Sequence, residues 1–336
     1  MTKILVIRFS SIGDIVLASP VFRCIKKQMA ECELHFVTKY SFKKVTEFNP
    51  YIDKFLYYQQ NMKELIGKLK AENYDYVIDL HNNFRSAKIK WALRKKSFTI
   101  EKLSIQKFLL TEFNLNIMPK KHITLRSLET LVPLGVTDDG LGLDFFIPEN
   151  EKVTEDHIPT SHQAGFICLV IGASYATKKL PVQQLMELCS KINHPIILIG
   201  GKEDRGAGKK IASVDPVKIY NSCGKFNLLE SADLIRKSKL VISHDTGMQY
   251  IACAFQKQVL AIWGATTPQL DVEPYYGSAY SPKDNLPIYE NILLNLCCQP
   301  CSKYGENECP LEHFNCMKKM NMERIAQNVH RRLNIS

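Results

Sequence analysis

A carboxylate placed where a strand turns into a helix is the first group in this chain whose position suggests chemistry. The apolar run Ile4-Leu5-Val6-Ile7 ends in Arg8-Phe9-Ser10-Ser11-Ile12-Gly13-Asp14, and apolar residues at 21, 22, 25 and 29 follow with helical period. Ser10, Ser11 and Gly13 then occupy a turn whose backbone N–H groups can face an anion. Asp14 has two readings there: it caps the helix, or it serves as a general base towards a hydroxyl. A second turn of the same kind, Ser243-His244-Asp245-Thr246-Gly247, follows Leu240-Val241-Ile242. Asp245 or Thr246 can cap the next helix, and Gly247 permits close approach of a phosphate. Gly172-Ala173-Ser174 closes another strand-like run, and Lys178-Lys179-Leu180-Pro181 leads into a helix starting at or near Pro181. A lysine at that point can neutralise a diphosphate, although a surface lysine before a helix is commonplace.

The cysteines divide into two sets. Cys24, Cys32, Cys168, Cys189, Cys223 and Cys253 are scattered in apolar or helical contexts, as free thiols of a reducing compartment are. The other five fall within 297–316, where Cys298, Cys301, Cys309 and Cys316, with Cys297 adjacent and His313 nearby, are dense enough to hold a structural zinc. Free thiols are the alternative, and the chemistry suggested by the turns asks for no metal cofactor.

The elements that must position these groups follow a repeated grammar. Strand-like 3–9, 33–38, 54–58, 76–80 and 143–147 are separated by helix-like 15–29, 61–72, 85–94 and 123–134. The pattern restarts at Phe166 and continues through strand-like 195–199, 218–221, 239–243 and 258–263, with helix-like 181–192, 228–237 and 247–255 between. Such alternation predicts an α/β protein of two doubly wound parallel sheets. The polar, turn-rich stretch from Pro148 to His162 reads as the linker, giving domains at 1–150 and 163–336, the second containing the Cys-rich segment and a C-terminal helix. Two such domains facing each other offer a cleft at the carboxyl ends of their strands, where ligands bind in sheets of this type.

With 336 residues, 45% of them apolar, the chain can build a core in each half. No run approaches the ~20 apolar residues of a membrane helix, and Met1-Thr2-Lys3 leads straight into a strand, so the expectation is a cytoplasmic protein. Of the net charge of +10, +7 lies in residues 1–150, which hold 23 Lys+Arg against 16 Asp+Glu. That excess suits nucleic acid, an anionic membrane surface or a phosphorylated substrate, or is simply solvated.

Taken together, Ser10-Ser11-Ile12-Gly13-Asp14, Asp79-Leu80-His81-Asn82-Asn83-Phe84-Arg85-Ser86, Lys178-Lys179-Leu180-Pro181, Gly200-Gly201-Lys202-Glu203-Asp204 and Asp245-Thr246-Gly247 resemble glycosyltransferase family 9 in order and spacing. The resemblance implies a GT-B fold of two Rossmann-like domains and an inverting, metal-independent transfer of heptose from ADP-heptose to the lipopolysaccharide inner core. It implies Asp14 as the base and Lys178 as the donor-phosphate lysine. Ser174 falls in a phosphate-contacting loop, and Asp245, Thr246 and Gly247 in the nucleotide-diphosphate motif. Glu203 or Asp204 would meet the donor sugar, while His81, Asn82, Arg85 and Ser86 lie on the acceptor side. The acceptor would be a lipid-linked anionic saccharide, met in peripheral contact with the inner face of the cytoplasmic membrane. The chain departs from the family at Tyr250, where His is frequent, and at Leu180, where Trp is frequent.

What is missing from the sequence is consistent with that reading. No Asp-x-Asp supplies a sugar-nucleotide metal site, and Gly206-Ala207-Gly208-Lys209-Lys210 has Lys210 where a P-loop needs Ser or Thr. The first turn also lacks the Gly-x-Gly-x-x-Gly of nicotinamide enzymes. Transfer from another nucleotide sugar is the neighbouring alternative. A nucleic-acid-binding protein is the alternative from a different class, suggested by Arg85, Lys88, Lys90, Arg94, Lys95 and Lys96. That cluster has Trp91 as its one interleaved stacking aromatic and no RNA-binding signature, so no nucleic acid is expected as partner.

Overall fold

The computed structural model describes residues 1–281 and 286–334. The chain divides into two units: Met1–Leu103, Lys121–Phe146 and Tyr276–Tyr280 form the first, and Ser104–Lys120, Ile147–Tyr275 and Ser281–Ser336 the second. Residues 104–120, expected within the first domain, therefore cluster with the second.

The first unit is built on β1 (Thr2–Ile7), β2 (Cys32–Lys39), β3 (Lys54–Tyr58), β4 (Tyr76–Asp79) and β5 (Lys96–Thr99). They form one parallel sheet in the order β3-β2-β1-β4-β5. β1 is central and covered on both faces, which is why it reads as an unbroken apolar run. Its Ile4 and Val6 pack with Phe22 and Ile25, and Leu5 and Ile7 pack with Leu65, Leu69 and Ile89. Its helices are α1 (Ile12–Leu17), α2 (Ser19–Gln28), α3 (Lys43–Thr46), α4 (Met62–Ala71), α5 (Phe84–Leu93) and, after α6 (Ser104–Phe113) of the second unit, α7 (Ile123–Glu129). The expected helix 15–29 is two helices, because Pro20 in the first turn of α2 has no N–H with which to continue α1. The expected strand 143–147 joins no sheet. Leu143 and Phe145 are buried there, but Asp144 between them pairs with the buried Arg23, which also bonds Asp139 at 2.8 Å and the Gly142 carbonyl at 2.8 Å.

The second unit is built on β6 (Ile167–Val170), β7 (Ile196–Ile199), β8 (Ile219–Asn221), β9 (Leu240–His244), β10 (Gln258–Ile262) and β11 (Tyr289–Ile292). These strands are parallel too, in the order β11-β10-β9-β6-β7-β8. Its remaining helices are α8 (Thr160–Gln163), α9 (Val182–Lys191), α10 (Arg205–Ala212), α11 (Leu228–Lys237), α12 (Gly247–Ala254), α13 (Asn315–Lys318) and α14 (Met322–Leu333). On α14, Met322, Ile325, Ala326 and Val329 recur at helical spacing and join the core formed with Leu185, Leu188 and Ile192 of the α9 region. The stretch Gly206–Lys210 lies inside α10, so its glycines form helix and no phosphate-binding loop.

In both sheets the strand order reverses beside the first strand. Ile7 of β1 is in register with Asp79 of β4, and Val170 of β6 with Ser243 of β9. The loops leaving those carboxyl ends run in opposite directions and open a crevice within each unit. Apart from Gly200–Asp204, which follows β7, the turns singled out from the sequence are such loops.

Candidate functional site

In the first unit, the Asp14 turn leaves β1. Ser11 is the N-cap of α1, and Asp14, in the first helical turn, reaches back to it: the Ser11 N–H and hydroxyl both donate to Asp14 Oδ2 at 2.9 Å. Asp14 is thus part of the cap, with Ser11 and not Asp14 in the capping position. Its other oxygen faces Arg8, whose guanidinium lies 2.6 Å from Oδ1. Partial burial pushes the Asp14 carboxyl up, but Arg8 and the Ser11 donors outweigh it and hold the group below its ordinary value. The result is a carboxylate that is ionised at neutral pH and still about one-third exposed, 32% of its side chain. Gly13 beside it is buried.

Arg8 connects this turn to the next. It also donates to the Ser10 carbonyl at 2.8 Å and to the Leu80 carbonyl beyond β4. There the fully buried Asp79 accepts the N–H groups of His81 and Asn82 at 3.0 and 2.8 Å, while Lys90 stands 2.9 Å from its second oxygen. Burial, with the positive charges of Arg8 and Lys102, lowers the His81 imidazole to about 4, so the ring is neutral at physiological pH. Asn82 takes a left-handed backbone, φ +47°, and its amide bonds the Ile100 carbonyl at 2.9 Å. Asn83 caps α5 by accepting from the N–H groups of Arg85 and Ser86, both at 3.0 Å. Arg85 is exposed, its guanidinium 5.8 Å from the centre of the Tyr58 ring. Ser86 is buried with its hydroxyl engaged by Asn83, so what it supplies is the shape of the turn.

In the second unit the loops after β6, β9 and β10 meet. Lys178 pairs with Asp245 at 2.6 Å, and Thr266 donates to the same Asp245 oxygen at 2.8 Å. Tyr250 is buried; its hydroxyl donates to the Val272 carbonyl at 2.6 Å and lies 3.5 Å from Asp245 Oδ1. His244, fully buried, accepts the Leu180 N–H on Nε2 at 2.9 Å. Burial lowers its ring to about 4, so it remains a neutral acceptor that fixes the Lys178–Pro181 turn against the end of β9. Lys179 pairs with Asp204 at 2.8 Å, and Asp204 also accepts the Gly201 N–H at 3.0 Å. Asp204 is therefore committed to structure, while the neighbouring Glu203 is exposed. Ser174 is exposed in the loop after β6, and Thr246 is the N-cap of α12, which begins at Gly247.

Within each unit the structure thus gathers the residues the sequence singled out: Asp14 with the His81 turn, Lys178 with Asp245. It adds Arg8, His244 and Thr266, to which the sequence assigned no role: His244 and Thr266 meet partners far away in sequence, and Arg8 joins its near neighbour Asp14 to the distant Leu80 carbonyl. Chemically, the first group is an ionised carboxylate beside a cation, and the second a lysine paired with the carboxylate that precedes the N-cap of α12. A cavity of about 430 Å³ elsewhere in the first unit, lined by Lys54, Tyr57, Asn61 and Lys68 among others, includes none of these residues.

A family model described as glycosyltransferase family 9 (heptosyltransferase) matches residues 62–311. Lipopolysaccharide heptosyltransferase 1 of Campylobacter coli is 25% identical over 84% of this chain and 88% of its own length. Lipooligosaccharide heptosyltransferase 2 of Haemophilus influenzae is 24% identical over 80% of this chain and 84% of its own. Among solved structures, the Escherichia coli ADP-heptose lipopolysaccharide heptosyltransferase II superposes with a TM-score of 0.73, at 17% identity and 99% coverage of both chains.

Proposed function

The chain belongs to glycosyltransferase family 9, and from that premise we propose that it transfers heptose from ADP-heptose to the inner core of lipopolysaccharide. The names of its relatives support the donor and acceptor classes. The observation that carries the chemistry is Asp14, kept ionised by Arg8 and Ser11 yet open to solvent.

The transfer is read as one inverting displacement. An acceptor hydroxyl attacks the anomeric carbon, the bond to the ADP oxygen breaks on the opposite face, and the hydroxyl proton passes to Asp14. Its lowered pKa makes Asp14 a weak base, one that accepts the proton only as the acceptor oxygen becomes acidic during bond formation. Lys178, with the N–H groups at the start of α12, stabilises the departing diphosphate. Because Lys178 is paired with Asp245, the diphosphate takes over a lysine that the carboxylate has already positioned. Glu203 and Ser174 belong to donor recognition, and His81, Asn82 and Arg85 to the acceptor. The reaction calls on no metal, and zinc, where the chain holds it, has a structural place at Cys298, Cys301, Cys309 and Cys316.

The acceptor is lipid-linked, and α5 offers a face for the surface that bears it. Phe84 and Trp91 are 74% and 78% exposed on that helix, among the exposed Lys88, Arg94 and Lys95. Aromatic rings and cations together suit the interface of an anionic bilayer. Among the described residues no helix is long and apolar enough to cross a membrane, which fits peripheral contact.

The deciding experiment incubates the protein with a Kdo-bearing lipid acceptor and, in turn, ADP-heptose, ADP-glucose and UDP-glucose. Release of ADP with addition of one heptose of inverted anomeric configuration, unaffected by chelator, is expected. Transfer from another nucleotide sugar alone, or none from any, would overturn the reading.

A further inference from the structure

Exposed apolar side chains are spread thinly over this molecule except at one place. Fifteen large ones are exposed among the described residues, and five of them, Ile105, Phe108, Phe113, Leu115 and Ile117, fall within thirteen residues of chain, each 47–71% exposed. Single exposed apolar residues need no explanation, whereas a concentrated group marks a surface that something covers. α6 and the segment behind it build this group. Ile105 and Phe108, three apart, share a helix face turned to solvent, while Leu110 is buried on another. Asn114 then takes a left-handed backbone, φ +51°, and the Leu115 N–H returns to the Leu109 carbonyl at 3.1 Å, so the chain folds back on the helix. The reversal brings Phe113 edge to face against Phe108, ring centres 5.9 Å apart, and Lys303 Nζ stands 5.6 Å from the centre of the Phe108 ring. Leu110 and Met118 are buried and fasten the segment, which holds its exposed side chains in place.

The charge around the group says what can cover it. Lys102, Lys107 and Lys120 lie in or next to the segment and Lys303 reaches it, against Glu101 and Glu112; Lys121 is paired with Glu129. The excess is positive. A second copy docked on the same face across a two-fold axis would set these lysines against their own equivalents. Nucleic acid has no use for Ile105, Leu115 and Ile117, which carry no ring to stack on a base. An anionic lipid bilayer meets both features: its acyl boundary takes the aliphatic and aromatic side chains, and its phosphates take the ammonium groups at the ends of lysine stems. The ten residues of α6 make a helix about 15 Å long, half of what a crossing needs, so it suits a place in the plane of the interface.

We propose that α6 and residues 113–117 are an anchor that inserts its apolar side chains into the boundary of an anionic bilayer. The anchor belongs to the second unit and is a different surface from α5, which belongs to the first. It stands on exposure and charge, and does not depend on which nucleotide sugar the protein uses or on its being a transferase.

The test uses the full chain with vesicles of phosphatidylethanolamine and phosphatidylglycerol, and phosphatidylcholine vesicles as the uncharged control. A triple variant, Ile105→Gln, Leu115→Gln and Ile117→Gln, changes only exposed side chains. Its co-sedimentation with the anionic vesicles should be at least about ten-fold weaker than the parent's, since binding scales with the apolar area inserted. Insertion is read directly in a Trp91→Phe, Ile117→Trp variant, whose other tryptophan, Trp263, is fully buried. Emission should shift to the blue and be quenched by lipids brominated on their acyl chains. Should the triple variant fail to fold, this measurement decides. Equal binding by parent and triple variant, or no quenching, overturns the anchor, and equal binding to phosphatidylcholine overturns the choice of an anionic surface. Light scattering that finds the parent dimeric and the triple variant monomeric assigns the face to a second copy and overturns the bilayer. Transfer to a deacylated, water-soluble acceptor should be the same in both proteins. A fall in the variant alone means that the segment serves the saccharide and overturns the anchor; no transfer by either overturns the transferase reading and leaves the anchor standing.

Discussion

Replacing Asp14 by Asn separates its two roles, because the side chain keeps its shape and loses its charge. The Asn carbonyl can still accept from the Ser11 N–H and hydroxyl, both 2.9 Å away, so the cap survives. What is lost is the ion pair with Arg8 at 2.6 Å. The two side chains are 12% and 32% exposed, between the surface pairs that contribute about 0–1 kcal/mol and the buried ones whose breaking costs about 3–5. Arg8 also retains the Ser10 and Leu80 carbonyls, which places the stability loss at about 1–2 kcal/mol. That loss has a pH signature. The folded carboxyl lies below its ordinary value of 3.8, so its contribution is present above that value and disappears as the pH falls through the folded pKa. Urea melts of parent and variant should differ at pH 7 and draw together only as the pH falls below 3.8 towards the folded pKa. Activity should fall much further, by ~100-fold or more, or about 2.7 kcal/mol of barrier, since Asn cannot take the acceptor proton. Initial rates at saturating donor and acceptor, read as ADP release, would show this, with ADP affinity near normal. A folded variant that transfers at more than about a tenth of the parental rate would refute the assignment of Asp14 as base.

Lys178→Met should weaken ADP binding by roughly 10- to 100-fold in calorimetric titration, the worth of about 1.5–3 kcal/mol for a charge-assisted hydrogen bond; Thr266→Val, which frees Asp245 from one donor, should raise the donor KM with a smaller change in kcat. His81 and His244 both titrate near 4 in the folded protein, below the ordinary value of 6.5, so the unfolded chain binds more protons between those values. Stability should therefore be full above pH 6.5 and decline as the pH falls towards 4, and thermal melts of His244→Gln should show a shallower decline over that range. Changing Lys88, Arg94 and Lys95 to Gln and Trp91 to Ala should weaken co-sedimentation with anionic vesicles at low salt by at least about ten-fold, each basic residue contributing up to ~1 kcal/mol. Lys90 is left intact in that variant because its ammonium serves the buried Asp79.

The sequence by itself determined the elements with strong local periodicity and the turns between them. Ile4–Ile7 and Ile167–Val170 could be read as central strands because strands covered on both faces are apolar throughout. Asp14, Lys178 and Asp245 could be located because each follows such a strand and precedes a helix. Elements with weak local patterns were not legible. Lys96–Thr99 is a mostly exposed edge strand of polar composition, and Tyr289–Ile292 a half-buried one, and both are strands because a neighbour offers them a ladder. The converse holds at 143–147, where alternation predicts a strand and Arg23, some 120 residues earlier in the chain, engages Asp144 instead. α10 was hidden by its two glycines. The electrostatic state of the site was set partly by near neighbours, Arg8 and Ser11 around Asp14, and for the rest by tertiary structure. Arg8 reaches Leu80 only because β1 and β4 are neighbours, His244 meets Leu180 only because β9 lies beside β6, and Thr266 meets Asp245 across the ends of β10 and β9. Local sequence can say which residue stands at the end of a strand and which near neighbours reach it; the remaining charges and donors are delivered by other strands, and their order in the sheet is fixed by packing.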